Sequence, residues 1–255
     1  MKELKGLEIF DISNNVEINE DIYLKIRTSA PIFEAVSSVF NHSTYIMDFR
    51  EKEFLFVSSN KLFLSGYNKK EVLEKGFLFF LDVIPKQDLT KVLHFLKCGS
   101  EFYHNLAIEK RFDYILEFEF ELLDITKLKR KRVCQKMTPL HIDNDGSICL
   151  VLCVLFLSVS KNNNNTAIIR HRDLPEQYRL SQNENHWKKI SIEELNFKEI
   201  QVLQLTAQGF TNKTIAEKLA LNINTIKYHK KNICQKLNAN TCVEALSIAA
   251  HFGYL

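Results

Sequence analysis

The stretch that decides the fold is "TIKYHKKNICQKL", Thr225 to Leu237, which holds four lysines and no acidic residue. Three apolar residues recur in it at helical spacing and predict one buried face: Ile226, Ile233 and Leu237. The residues left for the opposite, exposed face are Lys227, Tyr228 and Lys231. The pattern therefore predicts a short helix that is apolar on one side and basic on the other.

Residues that start and end helices surround this stretch and predict four short helices. Side chains with an oxygen acceptor stand at the four predicted starts, as N-caps do: Asn196, Thr211, Asn222 and Thr241. Glu199 and Glu244 follow the first and last of these caps at the third position, as in a capping box. Gly209 stands where the first helix is expected to end.

The apolar spacing predicts which residues these helices bury. For the first helix they are Phe197, Ile200, Leu203 and Ala207, and for the second Ile215, Ala216 and Leu219. The second and third helices are joined by the short turn "LNI", Leu221 to Ile223. Two helices joined by such a turn form a helix-turn-helix.

The segment Leu195 to Leu255 resembles the LuxR/GerE-type DNA-binding domain along its whole length, with the spacing of the landmarks intact. The matching landmarks are Glu199, Val202, Leu203, Gly209, Asn212, Lys213, Ile215, Ala216, Leu219, Thr225, Ile226, Lys227, His229, Ile233, Lys236, Leu237 and Ala245. Two positions depart from the family pattern: Asn222 stands where Ser is usual, and Cys242 where Arg is frequent.

The resemblance implies a role for each of three groups of residues. Those expected to contact base edges in the major groove are Lys227, Tyr228 and Lys231. Those expected beside phosphates are Lys213, Thr225, His229 and Asn232. The fourth helix, Cys242 to His251, is expected to mediate dimerisation on double-stranded DNA, through a face that includes Val243, Leu246 and Ala250.

Plainer interpretations of the same residues stay open. The lysines could form no more than a solvated helix face, and His229 could pack or cap locally. Lys230 and Lys236 are expected only to strengthen the local positive field.

The first part of the chain alternates strand and helix patterns. A helix is predicted at "APIFEAVSSVFNH", and strands at "STYIMDF" and "FLFVS". A longer helix is predicted at "DLTKVLHFLKCG", with Asp88 as its N-cap and Gly99 as its end. The sharpest alternation is in "YILEFEFELLD", where the residues predicted to face a core are Leu116, Phe118, Phe120 and Leu122. The turn "DNDG", with Gly146 at a positive φ, joins the last two strands.

This order of two strands, short helices, a longer helix and three strands is that of a PAS domain. The stretch "LFVSSNKLFLSGYNKKEVLEKGFLFFLDVIPKQD" resembles PAS sequences in its Asn60 after the second strand and its Pro-x-x-Asp before the long helix. The resemblance covers about residues 32–160 and implies a sensor or dimerisation domain. No tightly bound cofactor is expected, although a small unidentified ligand stays open. His94 as a haem ligand is the less favoured alternative to a surface or core histidine.

Three regions follow, in a chain of class α+β. Residues 1–160 form the PAS-like domain, an antiparallel sheet with flanking helices, and residues 192–255 form the all-α domain of four helices. Residues 161–191 begin with "KNNNN" and are either a polar linker or a small accessory hairpin, since "TAIIRH" and "EQYRLS" also resemble strands. Trp187 is expected to pack on one of the two domains.

Composition excludes several classes of protein. A net charge of +3 in 255 residues is too small to indicate nucleic acid by itself. The six cysteines lack the spacing of a metal site, and Cys149 and Cys153 are predicted to be buried in a strand. The longest apolar run, "ICLVLCVLFL", is about half as long as a membrane span requires. No signal-peptide pattern begins the chain, so a cytoplasmic location is expected.

The sequence thus predicts a DNA-binding transcriptional regulator that acts as a homodimer and is not an enzyme, since no catalytic constellation is visible. RNA polymerase is a further candidate partner, and no membrane contact is expected. The alternative is a signalling adaptor or ligand sensor whose helical domain contacts proteins. The basic run "KLKRKR", Lys127 to Arg132, is expected at a hairpin tip, either merely solvated or in contact with phosphates or an acidic partner.

Overall fold

The computed structural model describes residues 20–158, 166–174, 176–181, 185–251 and 254–255. The start of the chain, on which the signal-peptide expectation rests, and the run "KNNNN" lie outside these residues. The contacts divide the chain into two compact units, the first built mainly from residues before 189 and the second mainly from 189 onward. Within the described ranges, no helix has the length and apolar character that crossing a bilayer requires.

The first unit holds a mixture of helices and strands. Its helices are α1 (Glu20–Val39), α2 (Lys61–Leu64), α3 (Lys69–Lys75), α4 (Phe79–Val83) and α5 (Lys86–His104), with 3-10 turns at Gly76–Leu78 and Ile108–Asp113. The strands of the chain are β1 (Ser43–Asp48), β2 (Glu53–Val57), β3 (Tyr114–Leu123), β4 (Arg130–Ile142), β5 (Ile148–Leu157), β6 (Ile168–His171), β7 (Glu176–Leu180) and β8 (Trp187–Ser191). The first six lie in the first unit, whereas β7 and β8 each have residues in both units.

The strands form an eight-stranded sheet in the order β2-β1-β5-β4-β3-β6-β7-β8 among the described residues. The pairs β1–β2, β1–β5, β4–β5, β3–β4 and β3–β6 are all antiparallel. Strands and helices up to β5 follow each other in the predicted order, and the α+β class is confirmed. Gly146, at φ +86°, makes the turn between β4 and β5, as predicted.

Strand β3 alternates strictly between the core and a half-buried outer face. The predicted core residues are all buried: Leu116, Phe118, Phe120 and Leu122. The glutamates that alternate with these residues are half-buried and form ion pairs with the next strand. Glu119 pairs with Arg132 of β4 at 3.0 Å and Glu121 with Arg130 at 3.2 Å. Two arginines of the basic run at the β3–β4 hairpin therefore neutralise the carboxylates of the neighbouring strand β3.

Aromatic rings fill the core beneath the sheet. Tyr45 of β1 stacks on Phe63 of α2 with ring centroids 4.0 Å apart, and Phe54 meets Phe63 edge-on at 5.6 Å. These contacts support the simpler interpretation of the many phenylalanines, which is that they are core residues. Cys149 and Cys153 are buried on β5, as predicted, and burial raises the pKa of the Cys149 thiol to about 12.

Helix α5 begins and ends at residues other than those predicted for the longer helix. It begins at Lys86 and Asp88 lies inside its first turn, where the carboxylate accepts the backbone N–H of Glu121 at 2.8 Å. It also continues past Gly99 to His104. Gly99 is buried against Leu116 of β3, where a Cβ atom would lie 2.7 Å from the Leu116 Cδ2 atom. The glycine therefore serves a close helix–strand contact and does not end the helix.

The segment left open between linker and hairpin forms strands β6, β7 and β8 in its described residues. Strand β6 pairs with β3, with Leu116 opposite Ile169. The Trp187 indole N–H donates to the Cys98 carbonyl oxygen at 2.9 Å, and its ring lies 5.8 Å from that of Phe102. Trp187 thus packs on α5 of the first unit.

The second unit contains the four predicted helices: α6 (Phe197–Ala207), α7 (Asn212–Leu219), α8 (Ile223–Lys236) and α9 (Cys242–His251). Their shared core includes Val202, Leu203, Ile215, Ile226, Ile233, Leu237, Ala245 and Ile248. One predicted face is wrong in part, because Phe197 is 71% exposed and Ala207 is exposed as well. The buried face of α6 is centred on Val202 and Leu203 and includes Glu199.

Candidate nucleic-acid interface

The turn between α7 and α8 fixes where the basic helix begins. Helix α7 ends at Leu219, and Ala220 adopts a left-handed conformation with φ +52°, so it lies in the turn and outside the helix. The Leu221 N–H then donates to the Ala216 carbonyl oxygen at 2.9 Å. Asn222 caps α8 by accepting the Asn224 N–H at 2.8 Å, which confirms the predicted cap. Asparagine in place of serine thus keeps the capping bond.

The buried face of α8 holds the helix against the rest of the domain. Its three predicted core residues, Ile226, Ile233 and Leu237, are each no more than 1% exposed. The Leu237 N–H donates to the Ile233 carbonyl oxygen at 3.0 Å where the helix ends. Because this face packs against the domain core, the opposite face of α8 is left available for contact with a partner.

The opposite face of α8 presents the three residues predicted to contact bases. Lys227 and Lys231 are exposed, and Tyr228 is 61% exposed with its ring 6.1 Å from that of His229. Lys227 and Lys231 are four residues apart and so lie on one helical stripe. The structure brings these three side chains together on one surface.

The four residues predicted to lie beside phosphates differ from one another in their exposure to solvent. Lys213 is exposed in the first turn of α7, whereas Thr225, His229 and Asn232 are each half-buried. The buried Nδ1 atom of His229 has no hydrogen-bond partner among the described residues. Half-burial agrees with a histidine that packs locally while its outer edge stays reachable.

Lys236 has a structural role that its sequence position did not indicate. Its ammonium donates to the Glu199 carboxylate at 2.8 Å and to the Glu194 carbonyl oxygen at 3.2 Å. Glu199 is only 1% exposed and also accepts the Asn196 N–H at 2.9 Å in the capping box. Lys236 therefore joins the end of α8 to the start of α6 and does not act as a free surface charge. The capping box between Asn196 and Glu199 was predictable from the sequence. The ion pair with Lys236 was not, because Lys236 lies 37 residues from Glu199.

Helix α9 carries the residues predicted to mediate dimerisation. Val243 is 56% exposed, Ala250 is exposed, and Leu246 is half-buried against the domain core. The Thr241 hydroxyl caps the helix by accepting the Glu244 N–H at 3.1 Å, as predicted. Burial raises the pKa of the Cys234 thiol on α8, with smaller contributions from Cys242 and Glu244.

Along the chain, the charged residues of α8 all have one sign. Between Glu217 and Glu244 the sequence contains no acidic residue, while the whole of α8 lies in that interval. The lysines of α8 therefore have no neighbouring carboxylate along the chain, and Lys236 pairs in space with the buried Glu199. An exposed, basic helix face favours a polyanion as its partner. Within the described residues, no cluster of three or more potential metal ligands is present.

Residues 193–249 match the family model described as "GerE: Bacterial regulatory proteins, luxR family". The match spans α6 to α9 almost entirely, so this domain is a LuxR-type helix-turn-helix domain, as the landmarks predicted.

Two bacterial regulators are similar to part of this chain. BvgA of Bordetella pertussis, named as a positive transcription regulator of virulence factors, is 44% identical over 55 residues, which are 22% of this chain and 26% of BvgA. NreC of Staphylococcus carnosus, named as an oxygen regulatory protein, is 42% identical over 55 residues, or 22% of this chain and 25% of NreC. The chain thus spans about a quarter of the length of the curated relatives it matches.

Solved structures with low similarity cover more of the chain. A phage VqmA in complex with DPO has a TM-score of 0.33 at 15% identity, covering 91% of this chain and 88% of VqmA. The Vibrio cholerae VqmA dimer, described among LuxR-type receptors, has a TM-score of 0.34 at 13% identity, covering 89% and 88%.

Proposed function

We propose that this protein is a transcriptional regulator whose C-terminal domain binds double-stranded DNA through α8, under the control of the PAS-like N-terminal domain. In this proposal residues 1–160 receive a signal, residues 161–191 connect the domains, and residues 192–255 bind DNA. The chain acts as a homodimer in the cytoplasm. RNA polymerase is the second macromolecule that a bound regulator could contact.

One observation carries the proposal. In a domain that matches the LuxR family model, the recognition helix buries Ile226 and Ile233 and presents Lys227, Tyr228 and Lys231 together on an exposed face. The second helix of a helix-turn-helix lies in the major groove, where it contacts base edges. A lysine ammonium donates to the O6 and N7 acceptors of guanine, and a tyrosine ring offers apolar contact with a polar tip.

The relatives support the same function at the level of the domain. BvgA and NreC are both named as regulators, and each shares more than 40% of its residues with this chain over a segment of domain length. Dimerisation rests on the exposed Val243 and Ala250 of α9, which leave that helix with a surface for a second copy. The input role of the first domain rests on its resemblance to PAS domains.

The experiment is a binding titration of the full chain on random-sequence duplex DNA at several salt concentrations. A regulator of this kind should bind at low salt, and log K should fall linearly with log salt at a slope of about −0.9 for each phosphate neutralised. With Lys213, Lys227, Lys230 and Lys231 near the surface of the domain, several phosphates per copy should contribute.

A protein adaptor would behave differently in this titration. If the helical domain serves protein contacts, duplex binding should be absent at low salt or independent of salt concentration. Either result would overturn the proposal. Because the match to the family model covers only the C-terminal quarter of the chain, the measurement is made on the whole protein.

A further inference from the structure

Asn224 is a polar residue of the basic helix α8 that lies outside the groups of residues described above. It lies in the first turn of α8 and is exposed. Its backbone N–H is occupied by the Asn222 side chain, at 2.8 Å. Its own carboxamide makes no hydrogen bond within the described ranges of the chain. Both hydrogen-bonding ends of this side chain are therefore free for a partner outside the protein.

The position of Asn224 places it beside the residues proposed to contact bases. Lys227 and Tyr228 follow it by three and four residues, so all three lie on one stripe of the helix, and Lys231 continues that stripe one turn further. Residues near the start of a recognition helix contact base edges in the major groove. The stretch from Asn224 to Lys231 rises about 10 Å along the helix axis, which corresponds to about three base-pair steps.

An asparagine at this position is not explained by the stability of the helix. The capping position is already filled by Asn222, and Asn224 makes no capping bond of its own with the part of the chain that is described. Within the described residues, the Asn224 carboxamide thus has no capping role.

We propose that Asn224 determines sequence specificity by contacting an adenine in each half-site of the DNA. This inference rests on the proposed function and extends it. A carboxamide can accept a hydrogen bond from adenine N6 through Oδ1 and donate to adenine N7 through Nδ2, a pair that only adenine offers in the major groove. Lysine has donors alone and favours guanine. The face formed by Asn224, Lys227 and Lys231 therefore requires an A·T pair next to G·C pairs.

The test begins with duplexes selected from a random library by the full wild-type chain. Each adenine of the selected site is then replaced, one at a time, by 7-deaza-adenine, which lacks the N7 acceptor but still pairs with thymine. For the wild type, one replacement in each half-site should weaken binding about five- to tenfold, the loss of one hydrogen bond from a specific pair. Asn224→Ala should bind the unmodified site more weakly and should be insensitive to that same replacement.

Gln235→Ala is the matched control. Gln235 also carries a carboxamide, is exposed on α8 and lies on the same stripe, but about 16 Å further along the helix. It should respond to every 7-deaza-adenine as the wild type does. Alanine is a better helix former than asparagine, so Asn224→Ala should retain the fold, which amide exchange of α8 would verify.

The outcomes separate this inference from the function beneath it. If wild type and Asn224→Ala respond equally to all adenine replacements while both bind DNA, the role of Asn224 is overturned and the regulator stands. If the wild type selects no sequence from the library and shows no salt-dependent binding, both are overturned.

Discussion

Glu199 has two partners, and together they make it a central residue of the C-terminal domain. Its carboxylate accepts from the Asn196 backbone in the capping box and from the Lys236 ammonium, both within 2.9 Å, while the side chain is almost completely buried. A buried carboxylate is stable only when its hydrogen-bonding capacity is met. Lys236 thus satisfies the buried carboxylate and links the end of α8 to the start of α6.

Lys236→Met should therefore destabilise the C-terminal domain. Removal of one partner from a buried ion pair costs about 3 kcal/mol, because the remaining charge stays desolvated. Hydrogen exchange of the α6 and α8 amides, measured by mass spectrometry on the full chain, should become faster by about two orders of magnitude where exchange requires unfolding of the domain.

Lys198→Met provides the comparison, because Lys198 is an exposed lysine of α6 that directly precedes Glu199. It removes the same charge without breaking a buried pair, so its effect on exchange should be small. Equal exchange in the two variants would contradict the structural role of Lys236.

Among the elements, α5 shows how tertiary contact decides what a residue means. Glycine is a residue type that commonly ends helices. Helix α5 nevertheless continues past Gly99 to His104, and Gly99 faces Leu116 of β3. A glycine inside a helix lowers its stability relative to alanine by about 1 kcal/mol. Glycine nevertheless fits this position, because the Cβ atom of any other residue would clash with the Leu116 side chain of β3.

Gly99→Ala should consequently destabilise the first domain despite the better helix propensity of alanine. Its Cβ would lie 2.7 Å from Leu116 Cδ2, and overpacking of a core costs about 1–3 kcal/mol, which exceeds the propensity gain. The urea midpoint can be followed by Trp187 fluorescence, since this indole is bonded to the adjacent Cys98 carbonyl. In a Leu116→Ala background, where the space is open, the same substitution should instead stabilise. Stabilisation in both backgrounds would show that no close contact exists.

The elements also show how far the sequence could predict this structure. All four caps of the C-terminal helices were predictable, since a cap depends on residues two or three positions apart. The strict alternation of β3 likewise revealed its buried side. The limits of α5, the exposure of Phe197 and the partner of Glu199 were not, because each depends on residues distant in the chain. The same holds for β6, whose partner β3 lies some fifty residues earlier.

For the candidate site, the sequence predicted which residues of α8 are exposed better than it predicted how deeply the residues at the border of that face are buried. It placed Lys227, Tyr228 and Lys231 on the exposed face because the opposite face was marked by Ile226 and Ile233. It could not show that Thr225, His229 and Asn232 are half-buried, since the depth of a residue at the border of a helix face is set by the neighbouring helices. Their contacts with phosphates stay predictions.

On the scale of the whole molecule, two units of different architecture divide the proposed work. The first unit has a sheet with helices and a core of stacked aromatic rings, and the second is a small helical domain with one exposed basic face. A sensor must change its shape or association when a signal binds, whereas a DNA-binding domain must hold its recognition helix rigidly. The buried anchors of α8 and the Glu199–Lys236 pair satisfy the second requirement.

The central claim is that α8 of the intact protein discriminates between DNA sequences through its lysines. The most direct measurement compares binding of the full chain to its selected site and to a random duplex, for the wild type, Lys227→Ala, Lys231→Ala and Lys213→Ala. The two α8 variants should each lose about 1–3 kcal/mol on the selected site and much less on the random duplex, so that their preference collapses. Lys213→Ala should weaken both duplexes alike, because a phosphate contact carries no sequence information. If Lys227→Ala and Lys231→Ala both kept the affinity and preference of the wild type, the assignment of this face to base contacts would be wrong.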